Sequence, residues 1–303
     1  MRNTFITLAV TLSTPALATD YHVYYLGGQS NMDGFGTVAQ LPAELNAPVD
    51  RVRIYHPTPT RDDTASPQGI WAQLAPGHGW GFSSDASTNT MGERFGPELT
   101  FGRRLAELHP DRNIAIIKYS LGGSSITPNS DDPNARAPGH WDPDYNLSNN
   151  GFTGVNQYDH ALNAIAHATS FTDIDGDGEP DRLIPAGIVW MQGESDAQSE
   201  ADAADYEADL KQLIDLLRAA LRVDDLPVAI GRISDSGQDP NDKKIWDHGD
   251  AVRAAQASFC DTDPAAALVT TTDNYAYSDP YHYDTAGFID LGRAFADALE
   301  SLE

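Results

Sequence analysis

Apolar positions along the chain follow two periods. Short, nearly unbroken apolar runs occur at residues 23–28, 52–56, 113–120, 184–191, 228–233 and 267–271. Runs of that length, rich in Val, Ile and Tyr and bounded by Gly, Pro, Asp and Ser, predict strands buried on both faces. Between them lie segments with a 3.6-residue repeat. Residues 95–108 place Leu99, Leu105 and Leu108 on one side. Residues 158–168 and 251–260 also read as helices. Tyr206, Leu210, Leu213, Ile214, Leu217 and Leu221 form one long stripe, and Phe288, Leu291, Phe295 and Leu299 form another within 285–302. Strand and helix thus alternate from end to end. That alternation predicts an α/β fold with a parallel sheet covered by helices on both faces. Neither an internal repeat nor a Pro/Ser-rich linker divides the chain, so residues 19–303 read as a single domain.

In such a sheet, ligands bind outside the carboxyl ends of the strands. Four strands here run into polar loops, three of which contain glycine. They are Gly27-Gly28-Gln29-Ser30-Asn31, Ser120-Leu121-Gly122-Gly123-Ser124, Gln192-Gly193-Glu194-Ser195-Asp196 and Asp279-Pro280-Tyr281-His282. A serine hydroxyl needs a base to take its proton, most often a histidine held in one tautomer by a carboxylate. Of nine histidines, His282 alone follows a predicted strand with an acid three residues before it. Asp279 is close enough to fold back onto His282 Nδ1. Ser30 follows two glycines that let the backbone turn sharply. An oxyanion would find donors in the Ser30 N–H, the Gly123 N–H and the Gln192 side-chain amide. Bland readings stand beside these: a tight turn for Gly122-Gly123, a strand cap for Gln192. Gly122 competes with Gly123, and Glu194 with Asp279 as the acid. No Gly-x-Ser-x-Gly surrounds any serine, which argues against an α/β-hydrolase lipase.

Two long connections, 57–94 and 124–156, are rich in Gly, Pro, Asn, Asp and Ser and carry Trp71, Trp80, Phe82, Trp141 and Tyr145. Loops this long in a compact domain are commonly functional. Exposed aromatic faces beside a site suit sugar rings; the competing reading is that the rings staple the loops down.

Charge narrows the partners. With 45 acidic against 19 basic residues, the net charge of −26 repels phosphate backbones and anionic membranes, so a neutral polymer is the better partner than nucleic acid. The chain opens with Arg2, an apolar run at 5–12, and Ala16-Leu17-Ala18. That is the pattern of a signal peptide over residues 1–18, with export to the periplasm or medium. The run is too short to span a bilayer, and no other segment is long and apolar enough, so no membrane insertion is expected. Cys260, the single cysteine, forms no internal disulfide and reads as a small core residue.

Taken together, Gly28-Gln29-Ser30-Asn31-Met32, Gly96-Pro97-Glu98-Leu99, Gly122-Gly123-Ser124, Trp190-Met191-Gln192-Gly193-Glu194-Ser195-Asp196 and Asp279-Pro280-Tyr281-His282 resemble the sialate O-acetylesterase-like group and carbohydrate esterase family six, within the SGNH hydrolases. The resemblance runs from about residue 21 to 300. It implies a three-layer α/β/α sandwich with a five-stranded parallel sheet, flavodoxin-like in layout, and removal of acetyl groups from a carbohydrate such as acetylated xylan or sialic acid. It also implies Ser30 as nucleophile, His282 as base and Asp279 as its acid. Ser30, Gly123 and Gln192 would form the oxyanion hole. No cofactor is implied for catalysis. The alternatives are an esterase for non-sugar esters, which long apolar loops would favour, and a non-catalytic glycan-binding protein, which would have lost Ser30 or His282.

Asp173-Ile174-Asp175-Gly176-Asp177-Gly178-Glu179-Pro180-Asp181 resembles the start of an EF-hand-type calcium loop. Oxygen ligands recur at alternate positions around a sharp glycine turn. Ile184 stands where the bidentate Glu belongs, so Asp181 is the expected substitute. The competing reading is a solvated acidic hairpin.

Overall fold

The computed structural model describes residues 18–127, 139–143 and 154–303. The expected signal peptide therefore lies outside the described residues apart from Ala18, and so does Tyr145. Among the described residues, eleven strands and six helices follow one another. The first half holds β1 (Asp20–Gly28), α1 (Ser30–Asp33), β2 (Gly36–Thr37), β3 (Val52–Tyr55), β4 (Trp71–Gln73), β5 (Ser83–Ser84), β6 (Asn89–Thr90), β7 (Arg94–Phe95), α2 (Glu98–Leu108) and β8 (Asn113–Ser120). The second half holds α3 (Gln157–Ser170), β9 (Arg182–Met191), α4 (Glu200–Leu221), β10 (Val228–Gly231), α5 (Gly249–Thr262), β11 (Ala266–Val269) and α6 (Thr285–Glu300).

Seven strands form the main sheet in the order β11-β10-β9-β1-β8-β3-β4. Six of them are parallel and correspond to the six apolar runs of the sequence. The seventh, β4, pairs antiparallel with β3 at the edge. The five-stranded expectation is therefore too small by an edge on each side. β3 and β11 are only four residues long, and β4 has three, ending on exposed Gln73. β11 matches the apolar run at 267–271, which a five-strand count leaves out, whereas the edge strand β4 is too short to show a run of its own. The remaining two-residue strands pair as β2–β7 and β5–β6 ribbons within the long connection.

Side chains of the sheet alternate between two helical layers. Tyr24 meets Phe101 of α2 edge-on at 5.4 Å. Met191 points to the same layer as Phe295 of α6. On the opposite face Tyr119 meets His160 of α3 at 5.8 Å, and Trp190 meets Trp141 at 4.9 Å. Helices α2 and α6 touch closely at Gly292, where a methyl group would stand 2.2 Å from the Pro97 carbonyl. The three-layer α/β/α sandwich is thus as expected. No helix among the described residues is long and apolar enough to cross a membrane.

β1 lies at the centre, between β8 and β9. Its last residue, Gly28, has φ +144°, and a Cβ there would sit 2.0 Å from the Met191 carbonyl. Only glycine lets the chain end β1 against β9 in this conformation. The three central strands consequently finish level, and their following loops open on one edge.

Candidate active site

The turn after β1 is the hub of that edge. α1 is a single helical turn, fixed by its own main chain: the Met32 and Asp33 N–H groups donate to the Gln29 carbonyl, and the Gly34 N–H donates to that of Ser30. Side chains of the turn then bind the other loops. Gln29 Oε1 accepts from the Gly193 and Ser195 N–H groups, at 3.3 and 3.2 Å. Asn31 Nδ2 donates to Glu194 at 2.8 Å and to the Tyr281 carbonyl at 3.2 Å. Three loops remote in sequence are therefore clamped around Ser30.

A cleft of about 570 Å³ opens there. Ser30, Gly122, Gly123, His282, Asp33, Phe35 and Trp80 are among the residues lining it. His282 Nδ1 lies 2.8 Å from Asp279 Oδ2, and Asp279 Oδ1 accepts the Tyr281 and His282 N–H groups at 2.8 and 2.9 Å. Burial alone would raise the Asp279 carboxyl, but the hydrogen bonds from His282 and these amides outweigh it and hold the group below its usual value. The imidazole is flat against Phe35, with centroids 3.6 Å apart and 4° between the planes. Phe35 in turn stacks on Trp80 at 5.8 Å. Ser30 and His282 share the cleft without a hydrogen bond between their side chains, a looseness common before substrate binds.

The main-chain N–H groups of Ser30, Gly122 and Gly123 donate to no protein acceptor among the described residues. Gly123 has φ +78°, and a Cβ on Gly122 would meet Ser30 Cβ at 3.3 Å, so this turn lies directly against the serine. Asp196 holds the turn from behind, accepting the Ile126 and Thr127 N–H groups at 3.0 and 3.1 Å.

Two sequence expectations meet a different environment. Gln192 is fully buried and does not line the cleft. Its amide nitrogen faces Gln29 Oε1 at 3.3 Å, the Ser124 carbonyl at 3.2 Å and Asp196 Oδ2 at 2.5 Å. Two hydrogens already surrounded by three acceptors leave none for an oxyanion. Glu194, the rival acid, meets Asn31 rather than His282, and its burial raises its carboxyl. Of the loop aromatics, Trp80 is 58% exposed and Phe82 lines the cleft from a buried position. Trp141 is buried with its N–H on Ser124 Oγ at 2.8 Å, and Trp71 donates to the Ala168 carbonyl at 3.0 Å. Those two staple loops.

Over residues 20–301 the chain matches the model of a family described as carbohydrate esterase, sialic acid-specific acetylesterase. The chain belongs to this family. It is thus a carboxylic ester hydrolase of the carbohydrate acetylesterase kind, as its motifs implied. No curated protein sequence matches it. Solved structures repeat the fold at low identity. A carbohydrate acetylesterase from Xanthomonas citri is 19% identical with a TM-score of 0.61, over 93% of this chain and 56% of that one. A protein from Arabidopsis thaliana is 19% identical with a TM-score of 0.58, over 94% of this chain and 99% of that one. NanS is 16% identical with a TM-score of 0.57, over 95% and 98%.

Sequence reasoning passed over Asn31, Asp33, Phe35 and Asp196, although all lie in or beside the motifs. Asp33 and Phe35 carried a legible signal: a carboxylate and a ring three and five residues after the serine.

Elsewhere, carboxylate oxygens of Asp173, Asp175 and Asp177 come within 4.8 Å of one another. Glu179 and Asp181 stand outside that group; Asp181 instead accepts the Ile174 N–H at 2.7 Å. The Tyr21 hydroxyl donates to Asp175 at 2.9 Å, joining this loop to β1.

Proposed function

We propose that this acetylesterase works by two-step acyl transfer, with Ser30 as nucleophile, His282 as general base and Asp279 as the group that orients it. Ser30 Oγ attacks the acetyl carbonyl while His282 Nε2 takes its proton. Asp279 keeps the other proton on Nδ1, so that Nε2 presents a lone pair. The free N–H groups of Ser30 and Gly123 donate to the oxyanion, with Gly122 adjacent. The tetrahedral intermediate collapses, and His282 returns the proton to the departing sugar hydroxyl. Water then attacks the acetyl-serine with its proton going to His282, and acetate leaves as Ser30 is reprotonated.

The observation that carries this reading is one cleft containing Ser30, the unengaged amides of Ser30, Gly122 and Gly123, and a histidine bonded to an acid at 2.8 Å. Acetate release from 4-nitrophenyl acetate and acetylated xylan tests it. The unaltered protein is expected to release acetate and Ser30→Ala to lose that activity by at least about a thousandfold, on the order found when a triad member is removed. Full activity in Ser30→Ala would overturn it.

Two further readings accompany this one. The N-terminal segment directs export and is removed after Ala18, so the mature protein meets its glycan outside the cytoplasm. The Asp173–Asp177 carboxylates hold a structural calcium ion, with Glu179 and Asp181 drawn in or bridged by water.

A further inference from the structure

Asp33 is a buried carboxylate that neither the fold nor the proposed reaction uses. It is 5% exposed, yet it lines the cleft beside Ser30. The nearby cation, Lys118, is fully occupied. Its ammonium donates to Glu98 Oε2 at 2.7 Å, to the His78 carbonyl at 2.7 Å and to the main-chain carbonyl of Asp33 at 2.9 Å. Those three bonds use all three ammonium hydrogens. His282 is paired with Asp279. Among the described residues no protein donor reaches the Asp33 side-chain oxygens, and these are not among the side-chain atoms sealed from solvent. Burial pushes the carboxyl up to about 7, opposed by the charge of Lys118 and reinforced by Glu98. A carboxylate stripped of water in this way gains from any hydrogen-bond donor that comes within its reach.

We infer that Asp33 is the specificity-determining residue that accepts hydrogen bonds from free hydroxyls of the sugar ring carrying the acetyl group. The inference rests on the proposed function. Ser30 and Asp33 stand three residues apart on one helical turn and so share a face. A ring whose ester meets Ser30 presents its neighbouring hydroxyls to Asp33. The exposed indole of Trp80 offers the same cleft an apolar face for that ring. An anionic group at this position would meet the carboxylate, so the ring portion bound here is uncharged.

Asp33→Asn tests this with little disturbance, because Lys118 contacts only the main chain of Asp33. Three substrates separate the outcomes: partially acetylated xylan, which has free hydroxyls; peracetylated xylose, which has none; and 4-nitrophenyl acetate, which has no sugar ring. On partially acetylated xylan, kcat/KM is expected to fall about tenfold to a hundredfold, mainly through KM, as for loss of a charge-assisted hydrogen bond. On the other two it is expected to change less than about twofold. Asp33→Ser should repeat the pattern. An equal fall on all three substrates, or none on xylan, overturns the inference alone. An unaltered protein that cleaves 4-nitrophenyl acetate but neither sugar ester overturns the sugar reading and this inference together.

Discussion

The ring of Phe35 lies parallel to the imidazole of His282, with centroids 3.6 Å apart and a tilt of only 4°. One edge of that imidazole is fixed by Asp279 and one face by Phe35, so its plane and its direction are set by different parts of the chain. Phe35 follows the serine turn, whereas His282 follows the last strand. The segment that carries Ser30 thereby aligns His282.

Removing that face should loosen the base without removing it. Phe35→Ala is expected to lower kcat by up to about tenfold, as for an aromatic pair worth roughly 0.5–1.5 kcal/mol, with a smaller change in KM. Steady-state kinetics on 4-nitrophenyl acetate would show it. An unchanged kcat would leave Phe35 a packing residue only.

Asp279→Asn tests the proposed acid. An amide at this position can hold His282 in the wrong tautomer, so turnover should fall by about a thousandfold or more, on the scale of triad acids. Glu194→Gln should cost far less, since its contact is Asn31. Stability supplies a second readout. The folded Asp279 carboxyl is held below 3.8, so its contribution is present above that value and is lost as pH falls through the lower folded value. Acid melting curves of Asp279→Asn should therefore be flatter below about pH 4 than those of the unaltered protein.

Asp196 has the opposite sign. Burial lifts its folded carboxyl from 3.8 to about 7, against the hydrogen bonds from Gln192, Thr127 and Ile126. The folded state keeps the proton where the unfolded chain has lost it. Its stabilising effect is complete below about 3.8 and declines as pH rises to about 7. Melting temperature should decline across this window, and Asp196→Asn should flatten the slope by on the order of a few kcal/mol. Differential scanning calorimetry at about pH 4, 5.5 and 7.5 would measure it, these values spanning the shift. A slope unaltered by Asp196→Asn would contradict the assignment.

Calcium should raise the melting temperature if Asp173, Asp175 and Asp177 hold the ion. At a free concentration about 100 times Kd the gain is about 2.7 kcal/mol. Chelation with EGTA should reverse it, and Asp175→Asn should remove the response while leaving the cleft intact. Identical melting curves with calcium and with EGTA would dismiss the ion.

The order of elements, the parallel sheet and the four loops that carry chemistry are all legible in the amino-acid order alone. Each depends on contacts within a few residues: an apolar run, a helical stripe, or an acid three residues before a histidine. The Asp279–His282 pair was legible for that reason. What lies between loops is settled instead by the folded chain. Folding turns Gln192 inward, because Gln29, Ser124 and Asp196 from three segments surround its amide. It separates Glu194 from His282 by giving it Asn31, and it divides the loop tryptophans into one exposed ring at the cleft and two staples. It also leaves Asp33 facing the cleft, because Lys118, 85 residues away, uses its hydrogens on Glu98 and on carbonyls. Such outcomes turn on competition among donors and acceptors brought together from distant parts of the chain, and a one-dimensional pattern carries no record of that competition.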